Sequence, residues 1–245
     1  MDNALKNRDY NIDMLKVLSC IGIVALHTLN ITLGYVNLFV GLLTVLCVPM
    51  FFMCNGYLLL LKKRKITYKY VFFKILRILM VCFCWEMLHA LVFWPLDGLR
   101  NFPLSFVKDF IQQGLFYHFW FFGSLIVIYL VLPLLGRLLD NCIKGYVTII
   151  LCCAVVSTAL MVFSFVLRTP LISNVIQTFR LWVWFLYFMV GGLVLRYKER
   201  ITKFVQKNKW KMISCTLVLI SVSFVWVNCV GKFVYLRRDV QYFYE

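Results

Sequence analysis

Apolar residues along this 245-residue chain fall in seven long blocks divided by short polar stretches, instead of alternating with polar residues in short runs. The blocks cover about 12–33, 38–61, 71–95, 118–136, 145–167, 178–195 and 211–231. A stretch of about 20 apolar residues crosses a hydrocarbon core of about 30 Å as a helix. A helix also satisfies its own backbone polar groups where no water is at hand. The pattern therefore predicts an all-α integral membrane protein, a polytopic bundle of about seven transmembrane helices forming one domain over 1–245. The charged segment 6–13 ahead of the first block looks like the start of a signal peptide. The block continues well past Leu26, however, and no small-residue cleavage pattern follows it, so it reads as a retained span.

Composition agrees with the pattern. Hydrophobic residues make up 63% of the chain and charged ones 15%, against roughly a quarter charged in a soluble domain. Nine of the ten cysteines lie inside apolar blocks, Cys142 lies in a short connector, and no CxxC pair occurs. Neither a disulfide framework nor a zinc site is indicated.

The net charge of +16 would suit nucleic acid if the cations formed a patch, but they gather between the apolar blocks. One set of alternate connectors holds sixteen: Lys6 and Arg8, then Lys62, Lys63, Arg64, Lys65 and Lys69, then Arg137 and Lys144, then seven between Arg196 and Lys211. The other set holds six: Arg100, Lys108, Arg168, Lys232, Arg237 and Arg238. Cytoplasmic loops keep the excess of Lys and Arg. The expected orientation is an N-terminus inside the cell and, with seven spans, a C-terminus outside it. A receptor of the G-protein-coupled type would run the other way up. The long outer connector 96–117, with Trp94-Pro95 before it, the Asp97-Gly98 turn and an amphipathic stretch near 106–115, is expected to lie partly at the membrane interface.

Ionisable residues inside a span are costly and tend to face a cavity or a partner. The first span holds Asp13, Lys16 and His27. Lys16 and His27 are eleven residues apart, which is three turns and about 20°, so they share a face about 16–17 Å apart along the axis. Taken singly, Lys16 suits a snorkelling interfacial lysine and His27 a helix-to-helix hydrogen bond. Together they form Lys16-x10-His27 within IDMLKVLSCIGIVALHT.

That spacing resembles the signature of the acyltransferase-3 family, a basic residue, ten residues, then histidine. Four further stretches carry the likeness. VPMFFMCNGYLLL is similar to the family's Pro-x-Phe-Phe-x-x-Ser-Gly-Tyr stretch, with Asn55 in place of Ser, and KILR to its Arg-x-x-Arg motif, with Lys74 and Arg77 as the two cations. HFWFFGSLIVIYLVLPLL resembles its His-x-Trp-Phe segment, through His118, Trp120, Phe121, Tyr129 and Pro133, and FLYFMVGGLV fits as well. Family members usually have about ten spans. The seven here, ending in QYFYE, resemble the N-terminal portion of such an enzyme: a natural fragment, one half of a split protein whose partner supplies the remaining spans, or a degraded reading frame.

The resemblance implies an acyl group, often acetyl, moved from acyl-CoA to a sugar hydroxyl of a surface glycan or its lipid-linked precursor. No metal is implied. His27 would serve as general base, since imidazole titrates near neutral pH, with a transient acyl-histidine as a variant. Lys16, Lys74 and Arg77 would bind the cofactor's phosphates, and His118 and Trp120 the acceptor sugar. The offset between Lys16 and His27 matches the reach of a pantetheine arm.

Other polar residues leave alternatives open. Glu86 and His89, one turn apart, suit a proton relay or half of a metal site, although a diiron bundle needs Glu-x-x-His twice and it occurs once. Arg180 near the outer end of the sixth span is expected to snorkel, and Trp182, Trp184 and Tyr187 to form an aromatic belt with core packing. A proton-coupled transporter or flippase subunit would also use buried Lys, His and Glu, but the internal repeats and Gly/Pro-broken helix pairs common in such carriers are not evident. A non-catalytic membrane scaffold is the third reading.

Overall fold

The computed structural model describes residues 9–28, 43–60, 66–92, 102–169 and 171–229. Lys6, Arg8, the basic run 62–65, connector 34–37, the Trp94-Pro95 and Asp97-Gly98 segments and the QYFYE tail lie outside the described residues. Among the described residues the chain is helical throughout and has no strand: α1 Tyr10–Thr28, α2 Cys47–Leu60, α3 Tyr68–Val92, α4 Phe102–Phe110, α5 Trp120–Asn141, α6 Ile143–Leu167, α7 Leu181–Arg196, α8 Lys198–Lys207 and α9 Lys209–Cys229, with short 3-10 turns at Tyr117–Phe119, Leu171–Asn174 and Gln177–Phe179. Six helices are long and apolar enough to cross a membrane, and the α7–α8 pair, bent by 81°, would add a seventh. The all-α polytopic architecture is the predicted one.

Two connectors differ from the sequence reading. Segment 137–144 is no loop: α5 runs on through Arg137 to Asn141, and only Cys142 separates it from α6. Segment 196–210 contains the helix α8, whose ten residues KERITKFVQK carry four cations and one acid and are exposed throughout. A charged residue at the bilayer centre costs about 2.5–3.5 kcal/mol, so α8 is ill suited to the hydrocarbon.

The described chain divides into two compact units. The first holds α1, α2, the end of α6 from Met161, α7 from Leu186, α8 and α9. Here α1 packs along α2, and Gly22 makes the close approach, since a Cβ there would strike the Cys47 sulfur. The stretches MCNGY and FMVGG meet backbone to backbone. A Cβ on Gly56 would collide with the Phe188 carbonyl, and one on Gly191 with the Met53 carbonyl. Small residues permit such contact where helices associate in lipid without a hydrophobic drive. Phe52, Phe188 and Met189 are fully buried around it.

The second unit holds α3, α4, α5, α6 up to Leu160 and the segment 171–185. Helix α3 packs on α5, and its buried residues are Val71, Cys82 and Glu86. Ile128 and Leu132 fill the centre of α5. The amphipathic stretch forms α4, which ends at Phe110, and Gln112 then takes a positive φ of 62° to turn the chain. Thr178 Oγ1 donates to the Phe110 carbonyl at 2.6 Å, Ser124 Oγ to the Thr178 carbonyl at 3.2 Å, and the Gln177 N–H to Gln112 Oε1 at 3.1 Å. Two connectors, 96–117 and 168–177, are thus tied to each other and to α5.

Candidate functional site

In the first unit, α1 is continuous from Tyr10 to Thr28, with His27 in its last turn. Lys16 and His27 therefore keep the predicted separation of about 16 Å along one axis. The Lys16 ammonium lies 5.1 Å from the centre of the Phe51 ring of α2, a cation-π distance. Ser19, between the two, is fully buried and donates back to the Leu15 carbonyl at 2.8 Å, whereas His27 is on an exposed stretch of α1. Asn55, where the family pattern has Ser, donates Nδ2–H to the Phe51 carbonyl one turn back at 2.9 Å. A serine hydroxyl makes the same i−4 bond, so the replacement keeps the local geometry.

One polar cluster in this unit is not signalled by spacing. The Tyr57 hydroxyl donates to Asp9 Oδ2 at 2.8 Å, and the Lys198 ammonium donates to the same oxygen at 2.7 Å. Tyr57 is buried and Asp9 mostly so, with Lys198 half exposed. The Lys198 hydrogen bond holds the Asp9 carboxyl below its ordinary range, assisted by Tyr57 and opposed by partial burial. The carboxylate in turn raises the Lys198 ammonium. The start of α1, the end of α2 and the start of α8 meet here, 48 and then 141 residues apart in sequence.

In the second unit, Lys74 lies 5.6 Å from the centre of the Tyr129 ring of α5. Arg77 opens onto a groove of about 690 Å³ along α3, beside Phe73, Leu76, Met80, Cys84 and Leu88. Among the described residues lining it, Arg77 alone is charged. A cation at one end of an apolar groove fits an anionic group followed by an apolar or neutral arm.

His118 sits in the 3-10 turn before α5, its ring 3.8 Å from that of Tyr117. Trp120, buried, packs at 5.1 Å on Trp184, whose indole N–H donates to the Gln177 carbonyl at 2.7 Å. The core packing expected of Trp184 is thus against Trp120. Arg180 does not snorkel. It is buried, and its Nε–H donates to the Val175 carbonyl at 2.8 Å, while its own carbonyl accepts the Val183 and Trp184 N–H groups of α7. The turn before α7 needs a donor inside the protein, and the guanidinium supplies it.

The Glu86 partner is Asp109 rather than His89. The two carboxyls face each other, and both residues are buried. Asp109 Oδ1 accepts the Phe116 N–H at 2.7 Å, and Gly114 packs so closely that a Cβ would strike the carboxylate. His89 instead meets the edge of the Phe116 ring at 5.5 Å. Among the described residues no group of three or more His, Cys, Asp or Glu is placed to hold a metal.

A family model described as an acyltransferase domain matches residues 9–242. No curated protein and no solved structure matches the chain.

Proposed function

Because the chain belongs to the acyltransferase-3 family, and so is a multi-pass membrane acyltransferase, we propose that it moves an acyl group, acetyl in the simplest case, from acyl-CoA to a hydroxyl of a cell-surface glycan or its lipid-linked precursor. The observation that carries this reading is the match of the acyltransferase domain across nearly the whole chain. The site assignment leans on α1, one unbroken helix with a cation near one end and an imidazole at the other.

His27 is the general base. A hydroxyl attacks a thioester poorly until its proton is removed, and imidazole is the side chain suited to remove it near neutral pH. As the acceptor oxygen bonds to the thioester carbonyl carbon, His27 takes the hydroxyl proton. The carbon–sulfur bond then breaks, and His27 returns that proton to the departing thiolate, leaving an ester and free coenzyme A. Lys74 and Arg77 bind the phosphates of the donor, and Lys16 adds a third cation. The apolar groove beside Arg77 supports the role of that residue, and the offset of about 16 Å along α1 supports that of Lys16. His118 and Trp120 hold the acceptor sugar. The protein sits in the cell membrane with its N-terminus in the cytoplasm and its C-terminus outside, by the distribution of Lys and Arg.

The test is acyl transfer from labelled acetyl-CoA in membranes carrying the full chain. His27→Ala is expected to lower the rate by about 10²–10⁴-fold, with the amount of membrane-inserted protein unchanged. An undiminished rate would move the base elsewhere, to His118 first.

A further inference from the structure

Helix α8 follows α7 after a bend of 81°, and none of its residues is buried. At 100° per residue its side chains sort into two arcs. Tyr197, Ile201, Phe204 and Val205 fall within about 100° of one another, and Phe204 is 58% exposed. Arg200, Lys203 and Lys207 make a stripe along one border of that arc, about 10 Å long. Lys198 lies at the other border and is engaged by Asp9. Both ends carry an aromatic ring under a cation: Arg200 lies 5.9 Å from the Tyr197 ring and Lys209 5.8 Å from the Trp210 ring. Rings so placed mark the headgroup level of a bilayer.

A helix with an apolar arc, a cationic border and aromatic ends, turned sharply away from a span, is built to lie in the membrane surface. Its cations need an anionic counterpart at headgroup depth. We infer that α8 is an interfacial helix that binds anionic phospholipid, with Arg200, Lys203 and Lys207 on the headgroup phosphates and Ile201, Phe204 and Val205 among the acyl chains. Charge complementarity selects this occupant: three cations lie in one stripe, and the single acid of the helix, Glu199, offsets only Lys203, four residues on. The binding is independent of the acyl-transfer chemistry and serves to fix the α7–α8 elbow at the surface.

The experiment is amide hydrogen exchange of the full chain in nanodiscs of phosphatidylcholine alone and of phosphatidylcholine mixed with phosphatidylglycerol. Amides of α8 are expected to exchange on the order of 10-fold more slowly in the anionic discs, with α6 unchanged between the two. Raising the salt should erase the difference. Arg200→Gln with Lys203→Gln and Lys207→Gln should also erase it, whereas Arg200→Lys with Lys203→Arg and Lys207→Arg should keep it. Equal exchange of α8 in the two lipids overturns the proposal. So does slowing that persists in the triple Gln variant or at high salt, and so does slowing produced by inorganic phosphate added to the neutral discs.

Discussion

Tyr57, at the end of one membrane helix, donates its hydroxyl proton to the carboxylate of Asp9, the residue that precedes another. The bond is 2.8 Å long and lies within the stretch that resembles the family's Ser-Gly-Tyr segment. The tyrosine of that segment therefore anchors the helix bearing Lys16 and His27.

Tyr57→Phe keeps the ring in its buried place and removes only the bond. Losing a hydrogen bond to a charged group costs about 1.5–3 kcal/mol, which for a chain of this size lowers the melting temperature by roughly 3–12 °C. Lys198→Met should cost less, under about 1 kcal/mol, because Lys198 is half exposed and water screens it. Asp9 is lowered from 3.8, so its contribution is complete above that value and fades as pH falls through the lowered one. Lys198 is raised from 10.5, so its contribution is complete below that value and fades as pH rises through the raised one. Thermal melts in detergent should be insensitive to this pair between the two limits. A Tyr57→Phe protein melting with the parent would remove the anchor from the account.

Gly56→Ala and Gly191→Ala each place a methyl against a backbone carbonyl of the facing helix. Backbone cannot yield as a side-chain tip does, and overpacking of this kind costs about 1–3 kcal/mol. Both variants should give less folded protein in a fluorescence-detected size-exclusion profile, and the double variant should be no worse than the sum. Normal yields would mean that the helices approach less closely than described.

Glu86 and Asp109 offer a test by isosteric replacement. Glu86→Gln keeps the size and polarity of the side chain that faces Asp109 and should fold with little change. Glu86→Ala leaves a buried carboxylate facing a void and should cost about 2–4 kcal/mol. Similar melting of the Ala and Gln proteins would show that the carboxyls do not support one another.

Lys74→Gln combined with Arg77→Gln is expected to weaken acyl-CoA binding and to flatten its dependence on salt, because screening acts on charge pairs. Lys16→Ala should raise the donor concentration required more than it lowers the limiting rate, and Lys16→Arg, which keeps the charge, should be close to the parent. Binding unaffected by the loss of both α3 cations would leave them as markers of topology.

The helices were legible because lipid imposes so simple a demand on length and polarity, and α3, α6 and α9 fall within a few residues of the apolar blocks. Connector 196–210 was opaque for the opposite reason. Its high charge reads as a loop unless the 3.6-residue period of Ile201, Phe204 and Val205 is given weight. The candidate residues inside spans were visible because a charge in an apolar run stands out. Asp109 did not stand out, being one acid in a mixed segment, and its partner Glu86 lies 23 residues away on another helix. Arg180 was visible but misread: its position near a span end suggests snorkelling, and only the course of the chain at 175–180 shows a carbonyl within its reach.

Cys142 alone separates α5 from α6. Run on in one direction, their 22 and 25 residues would extend about 70 Å, more than twice the hydrocarbon thickness, so the chain reverses at that residue. During synthesis neither helix has slack to enter the bilayer before the other. The pair must be threaded as a hairpin, and the sidedness of 120–167 is decided in a single event. A foreign epitope placed at Cys142 would have to pull one limb out of register, whereas the stretch 102–116 can change without disturbing that step.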